Sequence, residues 1–306
     1  MSELLAEESV VETGHASAPL SSSSALLATM ITALWGTNPT ALKIAMRAFP
    51  PIGSSGLRFA IAALGVWAWC GLRRVRAWPQ RGEWVWLAVT AVLFIVQIAT
   101  FTLGVYWGTA GHSIVLLHTY PFLVVAMAHF LIPGERASAG KMVGLAAAFG
   151  GIVALFAGEW GSWHGKELQG DAVQLFSAFV LAAQVVFLKH AVARVDTNRV
   201  VLWQMVAGGL VFLGYSLGFE GLMSARPGAM ELAAVLYQGL VIGTLCFTIW
   251  TLLIEKHAAS RVAIFGFIAP LVGVGLSAVA LGEPLTAGLL VSASLVALGI
   301  VVASKF

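Results

Sequence analysis

Arg58 is the side chain whose type and setting most invite a chemical role. It stands in LRFAIAALGVW, seven residues past Pro51 and so about 10 Å along a helix axis. An ionisable group at that depth is costly and a functional candidate by default. Its planar fork of donors can hold a carboxylate or phosphate, or the side chain can snorkel to an interface or cap a helix end. An offset of 146 residues pairs Arg58 with Gln204 and Asn38 with Gln184, so both halves carry polar groups at these levels. Mid-helix amides can bond a substrate or join two helices. Gln97, in FIVQIATF, needs a partner. Phe101 beside it, and Thr244, Phe247 and Trp250 in a later apolar run, stand at facing positions. Asn38 precedes Pro39, which removes a helix hydrogen bond and frees a carbonyl near Trp35. Discontinuous helices of this kind line transporter sites, although a simple kink reads the same way, and Trp35 is either a cavity wall or packing.

His112, Ser113, His118, Thr119, Tyr120 and Pro121 make one run unusually polar. His118 and Tyr120 are deep enough to reach a central cavity, and His112 sits nearer a mouth. Histidine titrates near neutrality, so proton coupling through His112 and His118 is conceivable. No Asp or Glu is read within a span; the acids sit at ends or in loops, which disfavours a carboxylate relay and a buried cation site. Lys43 and its repeat partner Lys189 are read as snorkelling at opposite faces. No metal-spaced cluster or phosphate-binding glycine loop is present. Neither a catalytic residue, a metal nor a cofactor is expected.

The elements that must position these residues are apolar helices. Of the 306 residues, 59% are hydrophobic and 10% charged, with net charge +3, against roughly 25% charged in soluble domains. The composition describes a lipid-solvated, all-α integral membrane protein. Its basic residues lie in short loops with no nucleic-acid motif beside them. Both cysteines sit in apolar runs, so no disulfide framework is implied. Spans of roughly 20 apolar residues fall near 25–47, 52–72, 84–104, 108–132, 140–158, 170–190, 199–220, 232–254, 258–281 and 285–304. Residues 1–24, acidic and Ser-rich, read as a disordered cytosolic tail rather than a signal peptide. With the N-terminus inside, 12 of the 17 Lys and Arg fall in inner loops or at the C-terminus, so both termini are expected to be cytoplasmic.

The chain also repeats itself. From Gly134 to Val153, eight of twenty positions are identical to the stretch 148 residues later, including Gly134-Glu135 against Gly282-Glu283. Glu135 and Glu283 read as helix caps or a latch. Five helices per half, 25–158 and 170–306 with 159–169 linking them outside the membrane, put the second half upside down. Two inverted five-helix repeats are a plan of secondary transporters, with the substrate near the midplane.

ALWGTNPTALKIA, PPIGSSGLRFAIAAL, YWGTAGHSIVLLHTYP and the GER and GEP turns, in this order and spacing, resemble EamA-type proteins of the drug/metabolite transporter superfamily over about residues 25–304. The resemblance implies ten helices around a central cavity that moves small metabolites, commonly amino acids or related amphipathic compounds, often outward. The expected partners are a small-molecule substrate and membrane lipid, with proton or exchange coupling left open. An importer or exchanger of a nucleoside, sugar or cationic drug is the alternative. The expected reading is alternating access in the inner (plasma) membrane. Trp35, Asn38, Arg58, Gln97, Phe101, His118, Tyr120, Gln184, Gln204, Thr244 and Trp250 are expected around the substrate.

Overall fold

The computed structural model describes residues 21–132 and 165–304, with single helical positions between 140 and 154. Among the described residues the chain is all-helical. The first part contains α1 (Ser22–Gly36), α2 (Asn38–Ala45), α3 (Pro51–Arg73), α4 (Trp84–Trp107), α5 (Ala110–Leu117) and α6 (Tyr120–Leu131). The second contains α7 (Gly165–Ala191), α8 (Thr197–Tyr215), α9 (Ala229–Tyr237), α10 (Phe247–Lys256), α11 (Ala259–Ala263), α12 (Ile268–Leu281) and α13 (Ala287–Ser304). Wider π-helical turns extend α8 through Glu220 and join α9 to α10 across Gln238–Cys246, and a 3₁₀ turn joins α11 to α12.

Seven continuous segments among the described residues are long and apolar enough to cross a membrane. Their outward faces carry bare apolar side chains, such as Leu64, Leu72 and Val279, as lipid contact requires. The fifth helix expected over 140–158 lies outside the described residues apart from the single positions, as do Glu135 and residues 1–20 of the expected tail. Three boundaries differ from expectation for local reasons. Helix α1 starts at Ser22, inside the stretch assigned to the tail, because Ser21 caps it by accepting from the Ser24 amide. Helix α7 starts at Gly165, five residues early, so Asp171 lies nearly two turns inside a helix rather than at its end, and it is buried. The reading that no acid lies within a span is thereby corrected. The turn between the third and fourth spans narrows to Gly108-Thr109, where the Thr109 hydroxyl accepts from the His112 amide.

Helices α3 and α8 are repeat equivalents, and they pack antiparallel with glycines at the seam. A Cβ on Gly53 would meet Ser216, one on Gly56 would come 2.7 Å from the Leu213 backbone nitrogen, and one on Gly209 3.1 Å from that of Ala60. Trp69 then donates to Asn198 at the far end. As numbers rise along α3 they fall along α8. Equivalent helices meeting head to tail is the arrangement an inverted repeat produces. Each end of this pair is tied by a carboxylate. Glu220 accepts from the Ile52 and Gly53 amides at 3.3 and 3.0 Å, satisfying free N–H groups at the start of α3. Arg199 at the start of α8 donates to Glu83 at 2.9 Å.

The two lysines also obey the repeat, though not by snorkelling. Lys43 Nζ donates to the Gly108 carbonyl at 2.7 Å. Lys189 Nζ donates to the carbonyls of Ile254, Glu255 and His257 at 2.8, 3.1 and 2.8 Å. Each cation closes the carbonyl end of a helix, α4 in one half and α10 in the other. Unpaired carbonyls and the negative end of the helix dipole both favour a cation there.

The α3–α8 seam yields a prediction. Gly56→Val has no room, and overpacking of this kind costs about 1–3 kcal/mol, so the purified protein should melt earlier in detergent. Gly71→Ala, on the same helix with open space around it, should melt like the wild type. Equal melting of the two variants would contradict the close approach.

Candidate functional site

Two breaks of the same design shape the centre of the bundle. Thr37, heading Thr37-Asn38-Pro39, separates α1 from α2, and His118-Thr119, ahead of Tyr120-Pro121, separates α5 from α6. Both threonines have φ −78° and ψ −14°. Each hydroxyl donates at 2.7 Å to the carbonyl three residues earlier, Leu34 or Leu116. Proline two residues on cannot supply the N–H for the carbonyl four residues before it, Trp35 or Leu117, and the threonine hydroxyl adds a bond at the carbonyl just before that one. Tyr237 Oη, 2.6 Å from the Thr37 hydroxyl, braces the first break from α9.

Between these breaks lies a cavity with about 80 Å³ of room for the centres of water molecules, inside about 860 Å³ of atom-free space that includes its mouth. Trp35 and Asn38 flank the first break on the cavity wall, and His118 and Tyr120 flank the second. Arg58 enters from α3, Gln97 and Phe101 from α4, Gln184 from α7 and Gln204 from α8. Trp250 comes from α10 and meets Trp35 edge-on, ring centres 4.9 Å apart, with Phe247 5.6 Å from the same indole. Ten of the eleven residues expected around a substrate therefore share one cavity. Thr244 does not: its hydroxyl is 3.1 Å from the Gly239 carbonyl and 3.4 Å from that of Ala62, on the far side of the π-helical turn. His112 is also outside, 3.0 Å from Asp171.

Sequence reasoning passed over Gln238, Phe59 and Thr251, which also line the space. Gln238 is fully buried, and its amide donates to Asn38 Oδ1 at 3.1 Å and to the Asn38 carbonyl at 3.3 Å. The signal that marked Gln97, an amide amid apolar neighbours, is present in VLYQGLVIG as well. The π-helical turn that swings Gln238 inward leaves no such signal.

The polar balance of the cavity is uneven. Arg58 is 1% exposed and has a single protein acceptor, Asn38 Oδ1, 3.3 Å from Nη1. Its Nε and Nη2 have none. The guanidinium lies 4.5 Å from the centre of the Phe59 ring, a cation–π contact. Among the described residues no Asp or Glu lines the cavity. Buried polar atoms are normally paired, yet Gln204 Nε2, Gln184 Oε1 and Gln238 Oε1 also lack partners here. The cavity thus offers strong donors around one fixed positive charge, amide acceptors on other walls, and an aromatic side at Trp35, Phe247 and Trp250. Gln97 is already engaged, donating to the Ser177 hydroxyl at 3.2 Å. His118 Nδ1 bonds the Ile114 carbonyl at 2.8 Å, which holds its ring against the wall.

Asn38 offers a test of this balance. Asn38→Ala removes the acceptor shared by Arg58 and Gln238, and leaving buried donors unsatisfied costs about 1–3 kcal/mol, so thermal unfolding in detergent should begin earlier. Asn38→Asp keeps the acceptor and adds a counter-charge. It should restore or raise the melting temperature while abolishing affinity for carboxylate ligands. An Asp variant that melts as early as the Ala variant would refute this account.

Comparison with known proteins agrees with the architecture. A crystal structure of another protein superposes with a TM-score of 0.74 over 92% of this chain and 98% of that one, at 21% identity. "Uncharacterized transporter YoaV" of Bacillus subtilis is 23% identical over 88% of this chain and 92% of its own length. "Probable amino-acid metabolite efflux pump" of Salmonella typhimurium is 26% identical over 90% and 92%. The pattern of the EamA-like transporter family matches twice, over residues 22–157 and 168–305, leaving few residues outside it. The protein is a multi-pass membrane protein and belongs to the EamA-like transporter family.

Proposed function

We propose that the chain is a secondary transporter that moves amino acids or closely related amphipathic metabolites out of the cell by alternating access, with no catalytic step. It would comprise ten membrane helices in two inverted repeats, with both termini on the cytoplasmic side of the inner (plasma) membrane. The observation that carries the substrate class is Arg58: a buried guanidinium with two unpartnered nitrogens in a cavity with no acid among its described lining residues. A substrate carboxylate would supply the missing acceptors through a bidentate pair. The unpartnered carbonyl ends of Gln184 and Gln238 would take an ammonium group. Trp35, Phe247 and Trp250 would cover an apolar side chain. Efflux agrees with what the Salmonella relative's name says of that protein.

The positive cavity argues against cationic drugs, because burying a second unpaired positive charge beside Arg58 carries a large penalty. Alternating access is supported by the antiparallel equivalents α3 and α8, since rocking of inverted halves moves the opening from one face to the other.

The test is counterflow of labelled phenylalanine and leucine in proteoliposomes. Saturable exchange is expected for both, with none for phenethylamine, which lacks the carboxylate. Arg58→Gln should reduce the apparent affinity by about 10- to 100-fold, the equivalent of losing hydrogen bonds to a charged group worth about 1.5–3 kcal/mol. Unchanged exchange by that variant would remove the assigned site.

A further inference from the structure

We propose that the buried pair of His112 and Asp171 is a proton-binding site that couples proton movement to opening of one end of the bundle. The transport reading above supplies its consequence; the site itself stands on geometry. His112 Nδ1 lies 3.0 Å from Asp171 Oδ2, with side-chain exposures of 16% and 8%. The two residues come from different repeats, His112 from α5 and Asp171 from α7. Separating the halves at this end therefore separates the pair.

An imidazole facing a carboxylate is stable in two protonation states near neutral pH. With the proton, it is an ion pair whose rupture in a buried setting is strongly unfavourable. Without the proton, the unit is a net anion in which a neutral imidazole meets the carboxylate, a weaker link than the ion pair, and water reaching it is favourable. The proton thus decides how firmly this end is closed.

The surroundings suit a switch. Helix α5 begins beside it, where Glu283 accepts from the Ala110 and Gly111 amides at 2.8 and 2.9 Å. That carboxylate offsets the positive helix start that would otherwise oppose an imidazolium. Among the described residues, the other ionisable groups toward this end of the elements packed here are Lys43 of α2, bonded to Gly108, Tyr106 of α4, and Lys166 and Glu167 in the first turn of α7; Lys189 and His190 lie in the last turn of α7, at its other end. His118, the other histidine of the run, bonds a backbone carbonyl and faces no carboxylate among the described residues.

A polar track leads from the pair toward the substrate cavity. Gln174 lies one turn beyond Asp171 on α7; it is fully buried, and both ends of its amide lack a partner. Gly104 of α4 faces that amide, where any Cβ would collide with it. Ser177 follows one turn later and bonds Gln97, a cavity residue. From Asp171 to Ser177 is about 9 Å along the helix axis. Unpartnered buried amides are water-binding positions, so the track can connect the pair to a water-filled cavity when the opposite end is open. The proton would then enter from one side and leave to the other.

The first arm of the test needs no substrate. Full-length protein labelled with ¹⁵N-histidine is reconstituted in bilayers, and its imidazole signals are followed by solid-state NMR from pH about 8 to about 5, the window histidine titration spans. One imidazole should pass from neutral to cationic, vanish in His112→Gln and shift its titration in Asp171→Asn. A His112 that keeps one protonation state throughout, or ignores Asp171→Asn, overturns the proposal. The second arm uses labelled phenylalanine in proteoliposomes. Asp171→Asn should retain counterflow and lose accumulation driven by a pH gradient; intact accumulation overturns the coupling role. If wild-type protein moves no phenylalanine, the substrate reading fails, and the wild-type titration still decides the proton site.

Discussion

Breaking a helix within an apolar layer is unfavourable unless each freed backbone group finds a partner, and this constraint organises the molecule. At the Thr-x-Pro breaks a hydroxyl, from Thr37 or Thr119, returns to the carbonyl three residues back, one residue before the carbonyl that the proline leaves without its N–H. On either side of each break the chain turns polar and aromatic side chains inward. Trp35 and Asn38 do so around one break, His118 and Tyr120 around the other. The cavity is the space that two interrupted helices cannot fill.

What fills its walls sets its chemistry. Arg58 has one acceptor, and that acceptor is shared with Gln238. A carboxylate in the wall would have made a finished ion pair, more stable when empty and less receptive to an anion. Leaving the guanidinium under-satisfied transfers the completing interaction to whatever binds, so affinity and the burial of charge are linked in one site. The aromatic wall opposite adds contact area without competing for those hydrogen bonds.

The ends of the bundle follow a different rule. There, backbone groups at helix termini are closed by charged side chains, several of them across the two halves. Glu283 meets the start of α5, Glu220 the start of α3, and Lys43 and Lys189 close equivalent helix ends. The His112–Asp171 pair lies among these contacts, and it differs from the rest in joining an imidazole to a carboxylate across the two halves.

The sequence by itself determined the lipid-solvated helical class, the internal repeat and the positions of Arg58, Asn38, Gln97, Gln184 and Gln204, because hydropathy, self-similarity and the cost of polar groups in apolar runs are properties of the chain alone. It also exposed Pro39, though not that Thr37 and Thr119 build the same break. Tertiary structure alone decided which polar residues meet. Thr244 turns away because its hydroxyl finds backbone carbonyls nearby, and Gln238 turns inward because a π-helical turn shifts its helix face. Asp171 stops being a span end because α7 starts earlier than its apolar run, and it then finds His112. Lys43 and Lys189 cap helices instead of reaching for solvent because repeat symmetry brings a carbonyl terminus to each. For Asp171, Lys43 and Lys189 the deciding partner lies 59 or more residues away, beyond the reach of local periodicity, and the interaction exists only once the helices are packed together.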